Sequence, residues 1–231
     1  MRLLGSTYDF RPSGTGGVLA TKQHFVSRVR HEIEPNPAIV YYSTNSDSQA
    51  IHDYTWDHPQ NGDLLIGLAA SENTANIASV TSPMTELDST GSTPETRVYY
   101  DVLDGTETAR KSFGPDTDRY EYAGLTVYFR NLTYTSFAFS NNSTADPPSL
   151  ASFASGDVVL IVATIDQQFD PTTAPSGYTK ILESNNPHSG PKQMLTAAYF
   201  KVSAGGTEDP GTIGVNNTGG DSNIWTIRLT P

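Results

Sequence analysis

Hydrophobic residues along this chain of 231 residues come in short bursts with a period of two. In "LTVYFRN", Leu125, Val127 and Phe129 alternate with Thr126, Tyr128 and Arg130. In "WTIRLTP", Trp225, Ile227 and Leu229 alternate with Thr226, Arg228 and Thr230. Successive side chains of a strand point to opposite faces, so each stretch predicts a strand with one apolar and one polar face. Two runs break the alternation: "GDLLIGLAA" from Gly62 and "GDVVLIVAT" from Gly156 are apolar at nearly every position. A strand of that kind is covered on both faces, which places the two centrally in their sheets or at an interface. Each opens on Gly-Asp, where glycine supplies a positive-φ turn and the short aspartate accepts hydrogen bonds from nearby backbone N–H groups. "PSGYTKI" from Pro175 predicts another turn, again ahead of an aromatic-led strand. No segment longer than about ten residues keeps a helical apolar period, and the expected class is all-β.

The strands also recur in order. Gly62-Asp63 and Gly156-Asp157 stand 94 residues apart, as do "MTELDS" from Met84 and "YTKILES" from Tyr178. Beyond them the spacing becomes 100, with "TRVYYDVLDGTE" from Thr96 over "TAAYFKVSAGGTE" from Thr196 and Leu125 over Trp225. The change of six residues locates an insertion in "NNPHSGPKQML", between Asn185 and Leu195. Upstream, "AIVYYSTNSDSQ" from Ala38 resembles "YTSFAFSNNSTA" from Tyr134, an offset of 96. The expected organisation is an N-terminal arm at 1–31, module one at 32–132 and its internal duplicate at 133–231. In-out alternation suits sheets packed face to face, so the expected fold is two tandem antiparallel β-sandwich domains, jelly-roll or immunoglobulin-like, after the arm.

Composition narrows the function. The chain has no cysteine, which removes disulfides and thiolate metal sites. No apolar stretch approaches the roughly 18 residues of a membrane helix, so no membrane partner is expected. "MRLLGSTYDF" lacks the apolar core of a signal peptide, and the mature chain is expected to begin at Met1. Net charge is −11, but residues 1–30 carry Arg2, Arg11, Lys22, Arg28 and Arg30 against Asp9 alone, a net +4 that leaves −15 on the rest. An acidic body repels phosphate backbones and argues against nucleic acid as its partner. The five cations of the arm are too dispersed for a nucleic-acid motif and suit docking onto an acidic protein surface. The arm's Val18, His24, Val26, Val29 and Ile33 are too few for a core of their own. They dock either on the chain's own sheet or, by strand addition or groove docking, on a neighbour.

The Gly-Asp strands, the Pro-x-Gly-aromatic turn at Pro175–Tyr178, "AYFKVSAGGTE" and the closing Trp225-x-Ile227-Arg228-Leu229 strand together resemble the β-sandwich modules of bacteriophage tail, neck and head-appendage proteins. The likeness covers most of 133–231 and, more faintly, 38–132, where Leu125 replaces the tryptophan and the turn before Met84 lacks its glycine. It implies a structural or adhesive role on a particle surface; the expected function is a non-enzymatic virion structural protein, a decoration, neck or tail-associated part assembled in the host cytoplasm. Other virion proteins and copies of the chain itself would be its partners, engaged through Arg2, Arg11, Lys22, Arg28 and Arg30.

Candidate chemistry is sparse. "HDYTWDH" gathers His52, Asp53, Asp57 and His58, but on a strand the imidazoles and the carboxylates would face opposite ways. A metal would need ligands from elsewhere, and an exposed loop is the favoured reading. Asp166 with Asp170 reads as part of a loop rather than a glycosidase pair. No Gly-x-Ser-x-Gly elbow is present, "GTGG" at Gly14–Gly17 lacks the Lys-Ser/Thr of a phosphate loop, and neither cofactor nor turnover is expected. The alternative function is a carbohydrate-binding adhesin contacting a host glycan, with Tyr54 and Trp56, or Tyr120 and Tyr122, stacking on sugar rings.

Overall fold

The computed structural model describes residues 38–47, 60–71, 84–90, 94–106, 122–166, 171–185, 194–216 and 220–231. These contain strands and turns and no helix. The strands are β1 (Ala38–Asp47), β2 (Leu64–Ser71), β3 (Thr85–Thr90), β4 (Glu95–Val102), β5 (Tyr122–Arg130), β6 (Thr133–Asn142), β7 (Leu150–Phe153), β8 (Val158–Asp166), β9 (Thr179–Asn185), β10 (Met194–Val202), β11 (Gly206–Glu208) and β12 (Ser222–Thr230). They form one antiparallel sheet in the order β1-β5-β2-β4-β3, a second in the order β6-β12-β8-β10-β9, and a small β11-β7 pair. Both Gly-Asp strands, β2 and β8, take the central position.

The two five-stranded sheets are built alike down to their register. Leu64 pairs with Val102 and Phe129, while Val158 pairs with Val202 and Leu229, the same offsets of 94 and 100 seen in the sequence. The irregularities recur as well. Leu87 is skipped where β3 meets β4, and Ile181, 94 residues on, is skipped where β9 meets β10. Val40 is skipped against β5 and Thr135 against β12. A bulge adds one residue to one strand of a pair and bends it, so a bulge kept at the same place keeps the curvature of the sheet. The last pair of bulges also fixes the offset of β1 to β6 at 95 rather than 96: the aromatic residues are one step out of line between the two strands.

The expected all-β antiparallel sandwich is present. Its parts are divided otherwise than as two self-contained sandwiches, since each half supplies one five-stranded sheet and the two sheets close over a shared core. Leu64, Ile66, Leu68, Val127 and Phe129 of the first pack with Leu160, Val162, Trp225, Ile227 and Leu229 of the second. The sheets face each other in opposed strand order: β9 and β10 lie over β1 and β5, while Asp88 on β3 and Tyr100 on β4 reach β12 and β6. Alternation along a strand dictates which face is buried but not what buries it.

The second sheet has a further layer outside it. Val159, Ile161, Ala163, Ile165, Leu195, Tyr199 and Ile224 on its outer face pack under Ala145, Phe153, Tyr178 and Ile213 from β7 and the irregular segments. This is why β8 is apolar throughout: both faces are covered, and residues Val158 to Ile165 are all buried. On the outer face of the first sheet Leu65, Ala69, Met84, Tyr99, Leu103 and Tyr128 form a smaller buried cluster.

Candidate functional site

Both Gly-Asp turns sit at the same end of the sandwich, and each is fastened in the same way. Gly62 (φ 87°) and Gly156 (φ 97°) take the left-handed conformation that turns need. Gly62 N–H donates to the Leu103 carbonyl at 2.8 Å and Gly156 N–H to that of Ser203 at 3.0 Å. Asp63 and Asp157 are buried, and each accepts a backbone N–H three residues back, from Gln60 and Ala154, at 2.7 Å in both cases. An arginine of the closing strand completes each carboxylate. Arg130 contacts both oxygens of Asp63, at 3.0 and 3.1 Å, and Arg228 Nε reaches Asp157 Oδ2 at 2.7 Å. The two arginines are not at corresponding positions: Arg228 matches Tyr128, and Arg130 matches Thr230. They lie two residues apart on one strand face, so either position can serve.

Among the described residues two large apolar side chains face solvent at this end. Val102 is 55% exposed and Val202 42% exposed, and the two occupy matching positions at the ends of β4 and β10. The corner Asn131–Leu132, where the chain passes from the first sheet to the second, is at the same end. It is the part of the described body that combines exposed apolar groups with the crossing between halves.

The polar clusters elsewhere bind the fold together. At the opposite end of the shared core the fully buried Asn223 amide donates to the Pro94 carbonyl at 2.7 Å and lies 3.2 and 3.3 Å from the hydroxyls of Thr96 and Thr90; its oxygen accepts from Asn141 at 2.8 Å. Trp225 Nε1–H donates across the sheets to Asp88 at 3.0 Å. In the outer layer Glu208 accepts from Lys201 at 2.8 Å and from Ser203 at 2.6 Å. Burial pushes the Glu208 carboxyl up, but these two bonds and the Lys201 charge outweigh it and hold the group below the usual carboxylate range. Glu183 accepts from Lys180 and from the Thr172 hydroxyl, which also touches the Tyr199 hydroxyl. Burial raises the Tyr199 phenol well above its ordinary value, against the Thr172 bond, so it stays protonated. Both carboxylates are thus held between a cation and a hydroxyl donor, which is the arrangement of an internal strut. Among the described residues no group of three or more His, Cys, Asp or Glu could hold a metal ion.

The docking residues expected from the sequence, Arg2, Arg11, Lys22, Arg28 and Arg30, lie outside the described residues, as do Tyr54 and Trp56, the His52–His58 cluster and Tyr120. Tyr122 opens β5. Asp166, read from the sequence as part of a loop, is the last residue of β8, and Asp170 is outside the described residues. The inter-sheet bonds of Asn223 and Trp225 and the Glu208 strut are new to the structure. A polar Asn223 on the same face as Trp225 is their one trace in the sequence. Compared with known proteins, the chain matches no family model, no curated protein and no solved structure.

Proposed function

We propose that the chain is a non-enzymatic structural component of a bacteriophage particle, a decoration, neck or tail-associated part. In this reading its sandwich is a rigid body that other virion proteins or further copies contact, and the basic segment carrying Arg2, Arg11, Lys22, Arg28 and Arg30 attaches it. One observation carries the reading. The two sheets keep strand order, register and both bulges while their polar chemistry diverges: Asn223 and Trp225, which bond across the core, stand where the first sheet has Ala123 and Leu125, and Lys201 and Ser203, which hold Glu208, stand where it has Asp101 and Leu103. Retained shape with drifting chemistry is the mark of a part selected for geometry. A catalyst or a duplicated lectin would hold its reactive or sugar-stacking groups and let the scaffold drift. Val102 and Val202 each leave apolar surface open to a neighbour at one end of the sandwich.

The test is incorporation. Particles purified by density gradient from producing cells are expected to contain the full-length chain at a fixed copy number, and a chain lacking residues 1–31 is expected to stay in the soluble fraction, folded. A full-length chain that never co-sediments with particles sinks the proposal. Glycan-array binding lost on Trp56→Ala would replace it with the adhesin reading.

A further inference from the structure

We propose that Asn131–Leu132 is a swap hinge, and that the sandwich also closes between two copies of this chain, the first sheet of one against the second sheet of the other. The proposal is independent of the virion reading and rests on how the halves are joined. Every strand pair in either large sheet is made within its own half: the first sheet contains only β1 to β5, and the second only strands from β6 onward. Among the described residues the halves meet in the shared core, the Asn223 side-chain bonds, one of them to the Pro94 carbonyl, the Trp225–Asp88 bond and the Tyr100–Tyr134 ring contact at 5.0 Å. No ladder hydrogen bond of the described strands would break if the halves separated and each found its complement on another copy. The interface re-formed would be the same one, made twice about a two-fold axis.

The covalent crossing is short and conformationally committed. β5 ends at Arg130 and β6 begins at Thr133 in the facing layer, with Asn131 and Leu132 between them. Three Cα steps reach at most about 11 Å, and packed sheets stand about 10 Å apart, so the corner has almost no slack. It closes because Asn131 adopts φ 61°, the left-handed region that asparagine tolerates and most residues avoid. Leu132 is buried in the shared core just beyond it. When Asn131 returns to the extended region, β5 and β6 run on as one strand, the two halves of a chain part, and only a second chain can cover both buried faces. Short hinges under strain are those that exchange. The closed monomer is favoured by the proximity of its halves at low concentration, and the exchanged dimer by release of two left-handed residues at high concentration.

Tyr100 and Tyr134 report the outcome directly, because a photo-oxidative dityrosine link joins the two halves that face each other. Wild-type chains labelled with heavy and light isotopes are co-refolded from urea at high concentration, the dimer is isolated by size, and the Tyr100–Tyr134 link is read by peptide mass spectrometry. Links in the dimer are expected to join heavy to light in the proportion that random pairing gives. Asn131→Val should raise the dimer-to-monomer ratio roughly tenfold or more for each corner released, and Asn131→Gly should lower it. A wild-type chain that stays monomeric at every concentration, or a dimer with same-label links only, overturns the proposal. The wild-type cross-link decides alone should the valine variant fail to fold.

Discussion

Gly105 and Gly205 are the residues on which the two Gly-Asp turns rest. Both have positive φ, 83° and 102°, and in both the missing side chain faces the turn: a Cβ on Gly105 would stand 2.8 Å from the Asn61 nitrogen, and one on Gly205 3.3 Å from that of Ser155. Gly62 and Gly156 have positive φ but nothing within 4 Å of an added Cβ. Alanine at Gly62 or Gly156 therefore meets only the backbone penalty of about 1–2 kcal/mol. Alanine at Gly105 meets that penalty and a clash with backbone that cannot give way, so Gly105→Ala should be the most destabilising of the four in urea melts, with Gly205→Ala between. Glu208 yields a prediction in pH. Its folded pKa lies below its unfolded one, so its ionised form stabilises the fold fully above the unfolded value, near 4.3, and that contribution is lost as pH falls through the lower folded value. Glu208→Gln should lower stability at pH 7 by about 1–3 kcal/mol and flatten the acid limb of the stability curve. Urea titrations at pH 7 and below pH 4 would show both effects, and an unchanged acid limb would remove Glu208 from the account.

Among elements, the closing strands β5 and β12 show how an interaction can persist while its residues move. Arg130 and Arg228 are separated by two positions once the offset of 100 is applied, yet each meets the aspartate of its own Gly-Asp turn. Arg228→Tyr leaves the buried Asp157 carboxylate with a backbone N–H but no cation, and should destabilise by about 1–3 kcal/mol. Adding Thr230→Arg reproduces the first sheet's placement and should restore much of that loss in thermal melts. If the double variant is no better than the single, the two positions are not interchangeable. These strands also show what the sequence could and could not tell. The faces of Leu125, Val127 and Phe129 and of Trp225, Ile227 and Leu229 were legible because alternation reports burial, and all six lie in the shared core. The central place of β2 and β8 was legible from their unbroken apolar runs. That Thr226 is also fully buried, donating to the Pro148 carbonyl at 2.7 Å, was not, because the layer above it is irregular chain without periodicity. The one-residue error in matching β1 to β6 has a similar cause, since resemblance of side chains cannot see a bulge. Of the candidate site, the Gly-Asp turns were legible and their arginines were not: the pairs span 67 and 71 residues, and only the fold brings them together.

For the whole molecule, the decisive feature is that one core serves both halves. Leu64, Phe129, Leu160 and Trp225 belong to a single cluster, each with no exposed surface. Every fully buried side chain of this size contributes about 1.5–3 kcal/mol, and a sheet separated from its partner forfeits that contribution across its whole inner face. Two consequences are measurable. Unfolding by urea should be one cooperative transition seen alike by Trp225 fluorescence in a Trp56→Phe variant, which reports the second sheet and the interface, and by far-ultraviolet circular dichroism, which reports both sheets. Cutting the chain at the corner should then separate two requirements, covalent continuity and a covered face. Fragments 1–131 and 132–231 produced singly should remain unfolded or aggregate, the first more completely, because the second keeps the outer cluster of Phe153, Tyr178 and Ile213 over its sheet. Mixed, they should associate one to one and recover the circular dichroism of the intact chain, since no strand pair within either large sheet spans the cut. Asn223→Ala should weaken that association by about 1–3 kcal/mol by removing the shortest donor to the Pro94 carbonyl, which then keeps only the longer contacts of the Thr90 and Thr96 hydroxyls, at 3.2 and 3.5 Å. Two separate transitions in the intact chain, or two fragments that each fold without the other, would mean that each half carries a core sufficient to itself.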